Sequence, residues 1–255
     1  MNYTLHFPFG KKSKKEPGHK ILILILSVLQ GFSLSFLSGA KAQGVLGGEF
    51  GKGIDINTQS NGVVTQIPMA PAGLEGNSYL FDQWLPSSLD FGSLGKADGL
   101  YIRYDLMNSL FEVRLQNQVR LVNNGYVHAF SVTDTTGIVH QFMNCSSFAF
   151  PGAPVVGFFE ILSDGKYRLL LYTKAVIIKS NYVMALDMGY KNDKISKQEN
   201  FFIARENEAF KVPPARKNLI LLFPEKKGLG EYLKQNKINI HKVTGLKKLA
   251  GYLNE

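Results

Sequence analysis

Between Leu100 and Leu115 apolar and polar positions alternate with a period of two. Leu100, Ile102 and Tyr104 are set against Tyr101, Arg103 and Asp105, then Phe111, Val113 and Leu115 against Glu112 and Arg114. That alternation predicts two half-exposed strands. A four-residue turn at 106–109 that pairs Asp105 with Leu110 sets Arg103 opposite Glu112, Tyr101 opposite Arg114 and Ile102 opposite Val113. One register then satisfies the polar and the apolar face together. A turn at 116–118 continues the meander through Val119 and Leu121 and on to 126–133. The run Asp134-Thr135-Thr136-Gly137 signals another hairpin. A two-residue loop there sets Ser131 opposite His140 and Met143 opposite His128, turning the two imidazoles to opposite faces; a three-residue loop reverses this. Ser163-Asp164-Gly165-Lys166 is a stronger turn signal, because Asp-Gly suits the two positive φ angles of a type I′ turn. Its arms, 158–162 and 167–172, are apolar on both faces, which predicts a central pair covered on each side. Weaker strands are expected at 176–178, 182–186, 201–204 and 209–212, and one near 62–67.

At Pro213-Pro214 the period changes to that of a helix. Leu219, Leu222 and Phe223 form one stripe, Leu229, Tyr232 and Leu233 a second, and Leu246, Leu249, Ala250 and Leu253 a third, with Thr244 as an N-cap. Gly228 and Gly230 weaken the second helix and leave its length open. The pattern therefore predicts an α+β protein: a mainly antiparallel sheet of roughly eight to ten strands, curled, sandwiched or barrel-like, followed by two to three short C-terminal helices.

The N-terminus reads differently. Lys11, Lys12, Lys14, Lys15 and Lys20 precede an apolar run, Ile21 to Leu26, that extends through Val28, Leu29, Phe32, Leu34, Phe36 and Leu37. Ser38-Gly39-Ala40-Lys41-Ala42-Gln43 follows, with small side chains at 40 and 42. A basic region, an apolar region and a small-x-small site in that order predict a cleavable signal peptide cut between Ala42 and Gln43. An uncleaved anchor is the competing reading, but Gly31 and several serines dilute a run already near the lower length for spanning. The expected organisation is a signal peptide at 1–42, a Gly-rich lead-in at 43–76, a β-rich body at 77–212 and a helical segment at 213–255.

Composition changes the picture in two ways. The formal charge of +9 suggests a polyanion partner, yet removing 1–42 takes away six Lys and one Glu and leaves +4, so nucleic acid is not expected. Cys145 is the only cysteine, so an exported chain has no internal disulfide and must be held by packing; the residue is read as a small buried hydrophobe.

Three stretches together carry a resemblance: Leu100 to Asp105 with Asn108, Phe158 to Leu162 with Asp164-Gly165-Lys166, and Lys217 to Phe223 followed by Tyr232 to Lys237. Over 79–254 the chain resembles an uncharacterised family of small exported Bacteroidota proteins with a β-rich body and a helical C-terminal tail. The resemblance implies an exported address, periplasmic or secreted, and implies no reaction.

Candidate chemistry is sparse. Gly51-Lys52 fails as a phosphate loop, since Leu46 stands where its first Gly belongs and Gly53 where Ser or Thr belongs. No Gly-x-Ser-x-Gly elbow is present, no third ligand joins His128 and His140, and His241 falls in a linker. The spacing calls for no cofactor, no metal and no catalytic residue. The candidate binding residues are Trp84, the only tryptophan, with Tyr101, Arg103, Glu112 and Arg114 on the polar sheet face. Trp84 also fits a core plug, and Arg103 with Glu112 a solvated ion pair. The favoured function is a non-enzymatic exported protein binding an envelope protein, a polysaccharide or an extracellular ligand. The alternative is an envelope hydrolase using carboxylates among Asp82, Asp90, Asp105, Glu112, Glu160 and Asp187. A homo-oligomer seam on the helices is a third reading.

Overall fold

The computed structural model describes residues 63–64, 74–115 and 118–255. The expected leader, its cut between Ala42 and Gln43, and most of the Gly-rich lead-in lie outside the described residues.

Among the described residues twelve strands form one sheet: β1 (Val63–Val64), β2 (Leu74–Glu75), β3 (Leu85–Asp90), β4 (Lys96–Asp105), β5 (Leu110–Leu115), β6 (Gln118–Asn123), β7 (Ala129–Thr133), β8 (Val139–Asn144), β9 (Phe158–Ser163), β10 (Tyr167–Ile178), β11 (Asp193–Arg205) and β12 (Glu208–Lys211). Eleven of them run in the order β1-β6-β5-β4-β3-β7-β8-β9-β10-β11-β12, all antiparallel, and β2 adds to β11 in parallel. Three helices follow: α1 (Arg216–Leu221), α2 (Leu229–Gln235) and α3 (Val243–Asn254). The α+β reading holds.

The sheet is open, but it curls. Phe111 on β5 and Phe158 on β9 are five strands apart along the path, about 24 Å in a flat sheet. Their ring centroids are 5.4 Å apart, so the intervening strands wrap around them. Inside the wrap lies an aromatic core in which Phe130 stacks on Phe142 and Tyr104 meets Phe111 and Phe158. Leu169 and Leu170, neighbours on β10, point into two different clusters: Leu169 faces the helices and Leu170 faces Cys145, Phe159 and Phe202. The β9–β10 pair is thus covered on both sides, as its two-faced apolar pattern requires.

The β4–β5 register is the one predicted from alternation, with Arg103 opposite Glu112 and Tyr101 opposite Arg114. Other local expectations are corrected. Val132, not Ser131, lies opposite His140, because the β7–β8 loop closes one residue later. Asp134 N–H donates to the Ile138 carbonyl, Gly137 takes φ +86°, and the Asp134 carboxylate accepts from the Thr136 and Ile138 N–H groups. This is the three-residue hairpin with glycine in the left-handed position. At 164–166 only Gly165 has positive φ, so no type I′ turn forms, and a bulge at Leu162 of β9, opposite Leu169 and Leu170, absorbs the difference. Residues 182–186 are a turn, not a strand. The α3 helix starts at Val243 behind Lys242, so Thr244 lies inside it.

Candidate binding surface

The polar face of β4 and β5 is assembled around Arg103. Residues 78–80 run beside the end of β4: Leu80 N–H donates to the Tyr104 carbonyl and Leu106 N–H to the Ser78 carbonyl. A short excursion through 81–83 then brings Trp84 to the start of β3, where Leu85 pairs with Ile102. Tyr79 and Trp84 consequently flank Arg103, with the guanidinium carbon 4.1 Å from one ring centroid and 4.5 Å from the other. On β5, the guanidinium carbon of Arg114 lies 4.2 Å from a Trp84 ring centroid. The four side chains form an alternating stack, Tyr79–Arg103–Trp84–Arg114. Each guanidinium meets the electron-rich face of an aromatic ring.

Glu112 anchors the inner half of that stack. It is only 2% exposed and accepts from Arg103 Nη2 at 2.6 Å, Arg103 Nε at 3.1 Å and the Tyr79 hydroxyl at 2.7 Å. Burial first, then the hydrogen bond and charge of Glu112, push the Tyr79 hydroxyl up to about 12, so at neutral pH it stays a donor to the carboxylate. The Arg103–Glu112 pair is therefore a buried, three-bonded anchor and not a solvated pair, and Trp84 is half-buried between two guanidiniums and not a core plug.

The outer half of the stack is different. Arg114 is exposed and makes no ion pair among the described residues. It belongs to a row set by the sheet register: Pro86 on β3, Tyr101 on β4, Arg114 on β5 and Val119 on β6. All four are exposed, Tyr101 by 49%. Of the predicted residues, Trp84, Arg103 and Arg114 are thus in one set of ring–guanidinium contacts, Glu112 holds its Arg103 end, and Tyr101 lies across from Arg114.

No family model, no curated protein and no solved structure matches this chain.

Tyr79 escaped sequence reasoning, since it precedes the alternating strands and meets Glu112 from 33 residues away. A second unforeseen cluster lies at the β7–β8 hairpin. His140 Nδ1 is 2.7 Å from Glu160 and Nε2 is 3.2 Å from Asp134, with Phe81 stacked obliquely on the ring. Burial opposes protonation of His140, but the hydrogen bonds and charges of Glu160 and Asp134 outweigh it and hold the imidazole above its ordinary value. His128 sits apart, beside Gly92, and His241 is exposed. Among the described residues no three His, Cys, Asp or Glu side chains are grouped to hold a metal. Cys145 is fully buried, and burial pushes its thiol up to about 12, which keeps it protonated and poorly nucleophilic.

The carboxylates weighed for hydrolysis are each engaged elsewhere. Asp82 pairs with Lys197 and Asp90 with Lys96. Asp105 ties down the 106–109 turn through Asn108 and Ser78, Glu160 holds His140, and Asp187 accepts from Tyr182.

Proposed function

We propose that the protein is an exported, non-enzymatic binding module whose contact face is the Pro86–Tyr101–Arg114–Val119 row, and that its ligand is an acidic envelope polysaccharide. The single observation carrying this reading is Arg114: an exposed guanidinium held on the Trp84 ring, free of carboxylate partners among the described residues and flanked by an exposed tyrosine. The stack restrains the guanidinium before any ligand arrives, so less side-chain entropy is lost on contact. A flat aromatic and apolar row on either side suits a sugar ring, and the cation suits its carboxylate. The leader-like pattern at 1–42 and the resemblance to small exported proteins support the compartment.

Trp84 is the only tryptophan, so intrinsic fluorescence reports on the site directly. Titration with polygalacturonate is expected to change Trp84 emission, and neutral dextran is expected to leave it unchanged. Emission indifferent to both polymers contradicts the reading.

A further inference from the structure

Beyond residue 172, β10 leaves the body of the sheet. Tyr172 is its last residue paired with β9, and 173–178 pair with β11 alone, an arm of about 20 Å. Its end carries Met184, the most exposed large apolar side chain among the described residues at 84%, together with the exposed Leu186 and Met188.

This tip is ordered by its own hydrogen bonds. Val183 and Met188 exchange backbone bonds, Leu186 N–H returns to the Val183 carbonyl, and Tyr190 N–H donates to Asn181 Oδ1. Gly189, at φ +99°, lets the chain pass Asn181 so closely that a Cβ would strike its carbonyl. The backbone donors at the apolar end are therefore largely closed, which lowers the cost of leaving water.

Behind the apolar cap stand two tyrosines, each carrying a lysine: Lys191 Nζ is 4.7 Å from the Tyr182 ring centroid and Lys194 Nζ is 3.8 Å from that of Tyr190. The three carboxylates beside it are each paired, Asp187 with Tyr182 and Lys191, Asp193 with Lys179, and Glu75 of β2 with Lys194 at 3.7 Å. Over 174–197 five Lys stand against two Asp. Exposed apolar side chains with tyrosines and lysines beside them are the side-chain types that suit a lipid interface, with its acyl boundary, carbonyl region and anionic headgroups.

We propose that the tip of the β10–β11 arm docks shallowly on an anionic lipid bilayer, with Met184, Leu186 and Met188 entering the acyl boundary and Lys191 and Lys194 at the headgroups. The surface is separate from the Arg114 row, so the two readings stand or fall independently.

The test places a probe at the tip of the full chain, so the apolar run at 21–37 cannot produce the signal. In Met184→Trp, vesicles of equal parts phosphatidylglycerol and phosphatidylcholine are expected to shift the added emission to the blue, and lipids brominated near the acyl boundary to quench it. Vesicles of phosphatidylcholine alone bind about tenfold more weakly. Adding Leu186→Asp lowers the partition coefficient about tenfold or more. Absence of shift and quenching, insensitivity to Leu186→Asp, or a tip-dependent dimer by light scattering without lipid uptake overturns the proposal. Should Met184→Trp not fold, Leu186→Trp reports on the same layer, with Met184→Asp as its partner substitution.

Discussion

Glu112 is a buried charge whose neutralisation depends on two residues from different parts of the chain, Arg103 across the strand pair and Tyr79 from before the sheet. Removing Glu112 strands the Arg103 guanidinium in a half-buried site. Glu112→Ala is therefore expected to cost about 3 kcal/mol or more in urea unfolding. Arg114→Ala, at the exposed end of the same stack, is expected to cost under about 1 kcal/mol. Equal costs for the two contradict the division of the stack into anchor and contact. The Arg103–Glu112 pairing was legible in the sequence, because alternation fixes which residues share a face. The burial of Glu112 was not, because the covering residue Tyr79 has no place in any period. The facing of His140 was left open for a related reason: Asp134 and Gly137 allow loops of two or three residues, and the Asp134 side chain accepts the Thr136 and Ile138 N–H groups in the three-residue form.

His140 also carries a pH dependence. Its folded value lies above the ordinary 6.5, so it contributes stability that is full below about 6.5 and is lost as pH rises through the folded value. Asp134, held below the usual carboxylate range first by the Thr136 hydrogen bond, contributes in the opposite sense: present above about 3.8 and lost as pH falls. Thermal melts of the native protein are expected to fall between pH 6 and pH 9 by more than those of His140→Gln. Identical pH profiles would show that the cluster does not couple to folding.

At the scale of elements, α3 is fixed at its end to the sheet and near its start to the linker that precedes it. The Asn254 side chain at the end of α3 takes the N–H and gives to the carbonyl of Tyr167, bracketing the first residue of β10. Near the start of α3, Gly245 passes so close to the Asn239 carbonyl that any Cβ would collide with backbone. Asn254→Ala is expected to cost about 1–3 kcal/mol, since it leaves two Tyr167 backbone groups without these partners. Gly245→Ala should destabilise further, because backbone must move; chemical denaturation that ranks the two in reverse counts against this docking. Helical stripes, their three-part division and the two-faced β9–β10 pair were all visible as periodicity. The turn at 164–166 was not, since its conformation answers to Asn254, 89 residues downstream of Gly165, and not to Asp-Gly preference alone.

For the whole molecule, hairpin neighbours such as β4–β5 and β7–β8 could be read locally, but the insertion of β3 between β4 and β7 could not. That placement follows from closing the aromatic core around Phe111, Phe130 and Phe158, a contact set of long sequence separation. The proposed exported address makes its own prediction: mass analysis of the chain recovered from cells should find Gln43 as the first residue, and Met1 retained on a cytosolic protein contradicts it. The contact face is tested most directly by Arg114→Gln, followed by tryptophan emission against polygalacturonate alongside a thermal melt. The account predicts an unchanged melting temperature with affinity reduced about tenfold or more. Undiminished affinity in that variant, with the fold intact, contradicts it.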